Sequence, residues 1–279
     1  MPAYNVERYI GDAIESILSQ TFGDFELVIV DDCSTDGTRA IVERYRRRDG
    51  RIRVLSLDRN RGGGHARNVA ILHARGPFIA VMDADDVSLQ GRLEKQVRFL
   101  QAHPEVGVVG SNAVYMDEHA VPLWERRYWS DDAAIRKHIF LACPLSIGSC
   151  MIRKDVIMRA GLHDVTYRHA DDYELFFRLG RVTRFANIDE TLYQYRMHPQ
   201  STSFKNMRDQ ARMAIRVRER YFEEYHATWW DRCYHALDIF VLYCMPSGLK
   251  WFAISLFMRL RFLNRFVGEP PVRSSRCPT

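Results

Sequence analysis

Helical and strand signals alternate along the first hundred residues, and few folds accommodate that order. "DAIESILSQ" places Ala13, Ile14, Ile17 and Leu18 at helical spacing, and "FELVIVDD" (Phe25 to Asp32) follows as a run of branched and aromatic residues that reads as a buried strand. A helix from about Asp36 to Arg47, the strand "IRVLSL", a glycine-opened helix from about His65 to Ala74 and the strand "FIAVMD" continue the pattern. Such alternation predicts an α/β fold, a mostly parallel sheet flanked by helices. Ligands bind such sheets beyond the carboxyl ends of the strands. Asp31 and Asp32, and then Asp83, Asp85 and Asp86 in "MDADD", are therefore expected at one edge.

So many carboxylates repel one another unless something positive stands among them. One reading is a solvated turn; the other is a divalent cation on hard oxygen ligands. At 279 residues and 47% hydrophobic composition the chain can build an ample core. Its six cysteines show no C-x-x-C pair, which argues against a zinc site or a disulfide framework and points to a reducing cytosol. "MPAYNVERYI" has neither the basic nor the apolar region of a secretory signal.

The net charge of +5 is unevenly spread. Lys205 to Thr279 holds 13 Lys or Arg against 7 Asp or Glu, whereas the preceding residues sum to −1. Arg208, Arg212, Arg216 and Arg220 recur at fourfold spacing, and "IFVLYCMPSGLKWFAISLFM" (Ile239 to Met258) carries a single charge, Lys250. Pro246, Ser247 and Gly248 interrupt that run, so interfacial helices at a membrane surface are expected rather than a span, with Trp251, Arg259, Arg261 and Arg265 following. A helical cap packed on the preceding domain is the other reading. No nucleic-acid-binding module accompanies the arginines. The expected division is residues 1–204 as a catalytic α/β domain and 205–279 as a basic, apolar helical tail.

"MPAYN", "VDDCSTDGT", "NRGGGHARNVA", "MDADD", "ADDYELFFRL" and "YRMHPQSTS" occur in an order that resembles the family-2 glycosyltransferases of GT-A fold, over about Met1 to Ser203. The resemblance implies an inverting enzyme that takes a sugar from a nucleotide-sugar, UDP-sugar being the preferred class. It also implies Mn²⁺ or Mg²⁺ on the leaving pyrophosphate. Asp85 and Asp86 would supply metal and ribose contacts, with Asp83 opening the D-x-D and His198 reaching the metal or the donor phosphate. Asp32 would read the base beside Ala3 and Tyr4, and Arg67 would touch the pyrophosphate or form a structural ion pair. Asp172 would be the general base, with Asp171 in place of the family's usual Glu; a helix cap is the alternative for such a residue. Gly148 matches the loop where acceptor meets donor, although a tight turn would need glycine equally.

Relatives usually carry more strand before the "PAYN" equivalent, so the first strand is expected to be largely missing. The acceptor is expected to be a cell-surface glycan or a lipid-linked sugar at the inner face of the cell membrane. A sugar-1-phosphate nucleotidyltransferase and a catalytically silent sugar-nucleotide binding protein are the alternatives.

Overall fold

A computed structural model describes residues 1–243. Lys250, Trp251, Arg259, Arg261 and Arg265, and most of the apolar run that they flank, lie outside the described residues.

The first half has the expected alternation. Its strands are β1 (Pro2–Ala3), β2 (Leu27–Asp31) and β3 (Ile52–Ser56), separated by α1 (Ile10–Leu18) and α2 (Thr38–Arg46) and followed by α3 (Gly63–His73). All five residues of β2 are buried, as a strand covered on both faces requires. Helix α1 buries Ile10, Ala13, Ile14 and Ile17. The sheet runs β1-β2-β3, all parallel. The first strand is short, but it is in the ladder: Pro2 aligns with Val30 and Ala3 with Asp31, and the Asp32 amide donates to Ala3 O at 2.8 Å.

The second half departs from a purely parallel plan. It comprises β4 (Phe78–Ala80), β5 (Val87–Ser88), α4 (Arg92–Ala102), β6 (Val106–Met116), β7 (Pro122–Arg126), α5 (Asp132–Lys137), β8 (Met151–Arg153), α6 (Lys154–Ala160), α7 (Asp171–Val182) and β9 (Arg184–Arg196). Its sheet is ordered β4-β8-β6-β9-β5, with β7 alongside β6. Only β6 and β9 are parallel partners; the other pairings are antiparallel. Strand β4 therefore lies beside β8 and not in one ladder with β2. Apolar runs specify burial but not direction, and the return of Met151–Arg153 along β4 is a long-range pairing that local spacing does not encode.

Three helices end the described chain: α8 (Thr202–Lys205), α9 (Met207–Tyr221) and α10 (Trp229–Tyr243). The expected boundary near Phe204 does not separate two cores. Val217, Tyr221 and Phe222 join the cluster that contains Phe176 and Phe177, and Tyr221 stacks on Phe177 at 4.6 Å. Its hydroxyl donates to Glu174 at 2.6 Å. Nor are the four arginines a uniform free stripe, since Arg212 pairs with Asp209 and Arg220 donates to the Tyr167 hydroxyl. Helix α10 leaves Trp229, Trp230, Phe240 and Tyr243 exposed. No helix among the described residues is long and apolar enough to cross a membrane.

Candidate active site

The site begins where β2 ends. Asp32 is buried, and its two oxygens accept the backbone N–H groups of Arg61 and Gly62, each at 2.8 Å. It thereby fixes the loop that opens α3. Gly62 is at φ +89°, in the left-handed region that glycine tolerates. The neighbouring loops are stitched together in the same way. Asn5 Oδ1 accepts from Thr35 N at 2.8 Å, and Asp36 Oδ1, in the turn before α2, accepts from Thr38 N at 3.0 Å. Ala3 is buried below this corner, and Tyr4 is exposed beside it.

Helix α3 links the two acidic clusters. One turn in, Arg67 Nη2 donates to Asp83 Oδ1 at 2.6 Å; burial works against its charge, but the carboxylates of Asp83, Asp171 and Asp172 outweigh it and hold the guanidinium firmly charged. The ion pair expected for Arg67 is present between these side chains.

The consecutive aspartates behind β4 turn in different directions. Asp86 points inward: Oδ1 accepts from Arg196 N and Oδ2 from the Tyr193 hydroxyl, both at 2.7 Å. Burial, and then the charges of Asp85 and Asp83, push its pKa well up. Asp85 points the other way, its Oδ2 lying 3.0 Å from Nε2 of His198. The ring of His198 is buried and rests against Tyr9 at 4.6 Å, while Arg196 Nε donates to Asp85 O at 2.8 Å.

Asp85, Asp86 and His198 therefore do not converge as one set of ligands, and no group of three or more metal-binding side chains forms among the described residues. Asp86 already has both oxygens satisfied, and stripping it of Tyr193 and Arg196 would leave buried donors unpaired. Asp85 and His198 remain, a carboxylate oxygen and an imidazole nitrogen side by side. That pair suits a divalent ion whose other positions are filled by water and substrate phosphates, as Mg²⁺ commonly is when bound by one or two carboxylates.

Asp172 opens α7, where the positive end of the helix favours carboxylates. Its Oδ1 accepts from Tyr173 N at 2.7 Å. Burial, and next the charge of Asp171, raise its pKa to about 6, against the opposing pull of Arg67. Such a group can be ionised at neutral pH and still hold a proton well, which is what a general base needs.

Gly148 sits in a short 3₁₀ turn (Ile147–Ser149), where a Cβ would lie 2.3 Å from the Tyr193 hydroxyl and 3.0 Å from Asp83 Oδ2. Close approach, rather than backbone conformation, demands glycine here. Gly148→Ala should push Tyr193 off Asp86, costing about 1–3 kcal/mol of stability. A melting curve and a UDP titration check this; parent values in both would show that the turn simply moves aside.

Sequence reasoning missed Tyr193, Arg196, Arg92 and His163 as structural supports. Arg92 is fully buried under the site, donating to Val81 O at 2.7 Å with its guanidinium 5.1 Å from the Tyr193 ring centre. The available signals were the tyrosine and arginine alternating in "YQYR" and the arginine inside an apolar helix face.

This arrangement, an α/β sheet with acidic residues gathered behind β2 and β4 and a second carboxylate pair opening a late helix, is that of a GT-A fold. The sequence profile of glycosyl transferase family 2 matches residues 1–161, and the chain belongs to that family of enzymes. An uncharacterised glycosyltransferase of Methanocaldococcus jannaschii is 32% identical over 200 residues, 71% of this chain and 69% of that protein. The poly(ribitol-phosphate) β-N-acetylglucosaminyltransferase TarS of Staphylococcus aureus is 42% identical over 106 residues, but these are only 37% of this chain and 18% of TarS. The crystal structure of TarS residues 1–349 with UDP-GlcNAc superposes with a TM-score of 0.63 at 22% identity, covering 95% of this chain and 72% of that one. The mannosyltransferase PcManGT of Pyrobaculum calidifontis, solved with GDP-Man and Mn²⁺, gives 0.62 at 19% identity, covering 93% and 79%. At these identities the structural likeness establishes the fold alone.

Proposed function

We propose that the chain is a metal-dependent inverting glycosyltransferase that moves a sugar from a UDP-sugar to a hydroxyl of a cell-surface glycan or lipid-linked acceptor. The observation that carries this reading is Asp172, a carboxylate at the start of α7 with a pKa raised to about 6, grouped with Arg67 and Asp83. Asp172 would take the proton from the acceptor hydroxyl as that oxygen attacks the anomeric carbon from the face opposite the leaving diphosphate. Asp85 and His198 would hold Mn²⁺ or Mg²⁺, which when bound supplies positive charge to the departing diphosphate.

Arg67, set between Asp83 and the α7 carboxylates, would keep those acids ionised and lie where the pyrophosphate passes. Asp32 would read the base only through the lone pairs left by Arg61 and Gly62, beside Ala3 and Tyr4. Asp86 would act by locking β9 to the "DADD" turn. The UDP preference draws support from the donor bound to TarS, the metal from the Mn²⁺ of PcManGT, and the acceptor class from the polymer named for TarS. The test is a screen of nucleotide-sugars for hydrolysis and transfer with and without Mn²⁺. Release of UDP from a UDP-sugar only when metal is present supports the reading, and metal-independent turnover overturns it.

Peripheral contact with the inner face of the cell membrane belongs to the same proposal. Its support is the exposed aromatic face of α10, where Trp229 and Trp230 are 68% and 64% exposed. Indole rings favour the membrane–water interface. The full chain should sediment with anionic vesicles at low salt, and Trp229→Ala/Trp230→Ala should sediment at least about 3-fold less, the loss expected for a fraction of the interfacial apolar area. A parent chain that stays in the supernatant points to a soluble acceptor. Truncation after Phe204 is unsuitable as a test, because it strips Val217, Tyr221 and Phe222 from the core.

A further inference from the structure

Adjacent carboxylates at a helix start would compete for the same donors and the same protons. Here the structure separates them. Asp171 turns into the protein, with its Oδ2 2.8 Å from Nδ1 of His163. The same oxygen lies 2.6 Å from where a Cβ on Gly64 would stand, so it presses against the first turn of α3. His163 is fully enclosed, and Asn68 grips its backbone from both sides. The His163 amide donates to Asn68 Oδ1 at 2.9 Å, and Asn68 Nδ2 donates to His163 O at 2.8 Å.

Nε2 of His163 is buried with no hydrogen-bond partner among the described residues. The ring proton therefore belongs on Nδ1, where an acceptor stands, an assignment made from the hydrogen-bond network. Asn68 follows Arg67 on α3, so one cluster fixes the helix carrying the arginine to the helix carrying both aspartates.

We propose that His163 is a positioning residue for sugar transfer: by donating Nδ1–H to Asp171 it holds that carboxylate against α3, leaving Asp172 as the member of the pair turned to the acceptor hydroxyl. The proposal rests on the reading of Asp172 as base. The charged and titratable groups acting on Asp172 are Asp171 from its own helix, Arg67 from α3, His163 from the α6–α7 connection, and the thiols of Cys143 and Cys150. Asp171 raises the Asp172 pKa, while Arg67 draws it down.

The experiment compares His163→Leu, His163→Asn, Asp171→Asn and Asp172→Asn in the full chain, using a UDP-sugar that the parent turns over. The amide of Asn can donate where Nδ1 does, and Leu cannot. His163→Leu should lower kcat about 10-fold or more, as a misplaced reacting group does, with the donor KM and the affinity for UDP within about 2-fold. His163→Asn should recover most of that loss. The acid limb of kcat/KM should move to lower pH in Asp171→Asn, where the charge that raises the Asp172 pKa is gone, and stay near the parent's in His163→Leu, whose neutral ring has no charge to remove.

Parent turnover in His163→Leu overturns the proposal, and so do equal losses in the Leu and Asn variants. If His163→Leu neither melts cooperatively nor binds UDP, Asp171→Asn decides the matter: an unmoved acid limb overturns the proposal, and a limb shifted to lower pH sustains it. Asp172→Asn separates the two levels. Full transfer in that variant removes the base reading itself, whereas a dead Asp172→Asn beside a fully active His163→Leu removes only His163.

Discussion

Asp172→Asn is expected to bind UDP as tightly as the parent and to transfer sugar about 10²-fold more slowly or worse, the scale of a lost general base. Asn has the same shape, keeps an acceptor for Tyr173 N and leaves the Asp85–His198 pair untouched, so donor binding has no reason to change. Only proton removal from the acceptor is lost. Asp171→Asn should cost less, since that carboxylate is engaged with His163. Calorimetry with UDP and a transfer assay suffice, and parent-rate transfer would place the base elsewhere.

The same substitution should raise stability. An Asp in the unfolded chain titrates near ~3.9, and Asp172 in the folded chain near about 6. Between those values the folded state holds a proton that the unfolded state releases, so stability falls as pH rises through the window and the full penalty is present above it. The penalty is at most about 3 kcal/mol and Asn does not carry it. Asp172→Asn should melt at a higher temperature than the parent above about pH 7, with the difference gone below about pH 4. A lower melting temperature at neutral pH would mean that Asp172 is not held in an environment unfavourable to its charge.

The second large effect concerns the metal. Removing Asp85 leaves His198 as the lone candidate ligand beside the diphosphate, because Asp86 is held inward by Tyr193 and Arg196. Asp85→Ala should therefore lose metal-dependent UDP binding by at least about 10-fold, the low end of the loss for a disturbed metal site. With only two side-chain ligands, Mn²⁺ alone should bind the parent weakly and tighten when UDP is present, by reciprocal linkage. Equal UDP affinity with chelator present, or in the variant, would count against metal at "DADD". Asp86→Asn should instead show itself first in melting temperature, since its bonds tie β9 to the turn after β4.

The acidic clusters, their order and the helix that Asp172 opens were legible in the sequence because each depends on local signals: apolar runs ending in carboxylates, a glycine-opened helix, a helix start with consecutive acids. The sense of the second sheet was not legible. Strand β4 is followed by β5, α4 and β6 before β8 returns beside it, and no periodicity records that pairing. In the sequence, the charge of α9 marks it as part of a tail. Its arginines are conspicuous in the sequence, whereas Val217 and Tyr221, which join the core, are few and have partners about 40 residues earlier in α7.

The sequence by itself determined which chemistry could be present: carboxylates for a cation and for a proton, gathered at strand ends and at a helix start, in the motif order of one enzyme family. Only the tertiary structure decided what each carboxylate faces. Asp85 and Asp86 are chemically identical neighbours, and what sends one toward His198 and the other toward Tyr193 is the placement of β9, more than a hundred residues away. Asp171 and Asp172 are divided in the same way by His163 and Gly64. A carboxylate's role follows from the donors and charges around it, and in this protein those arrive from distant segments through packing.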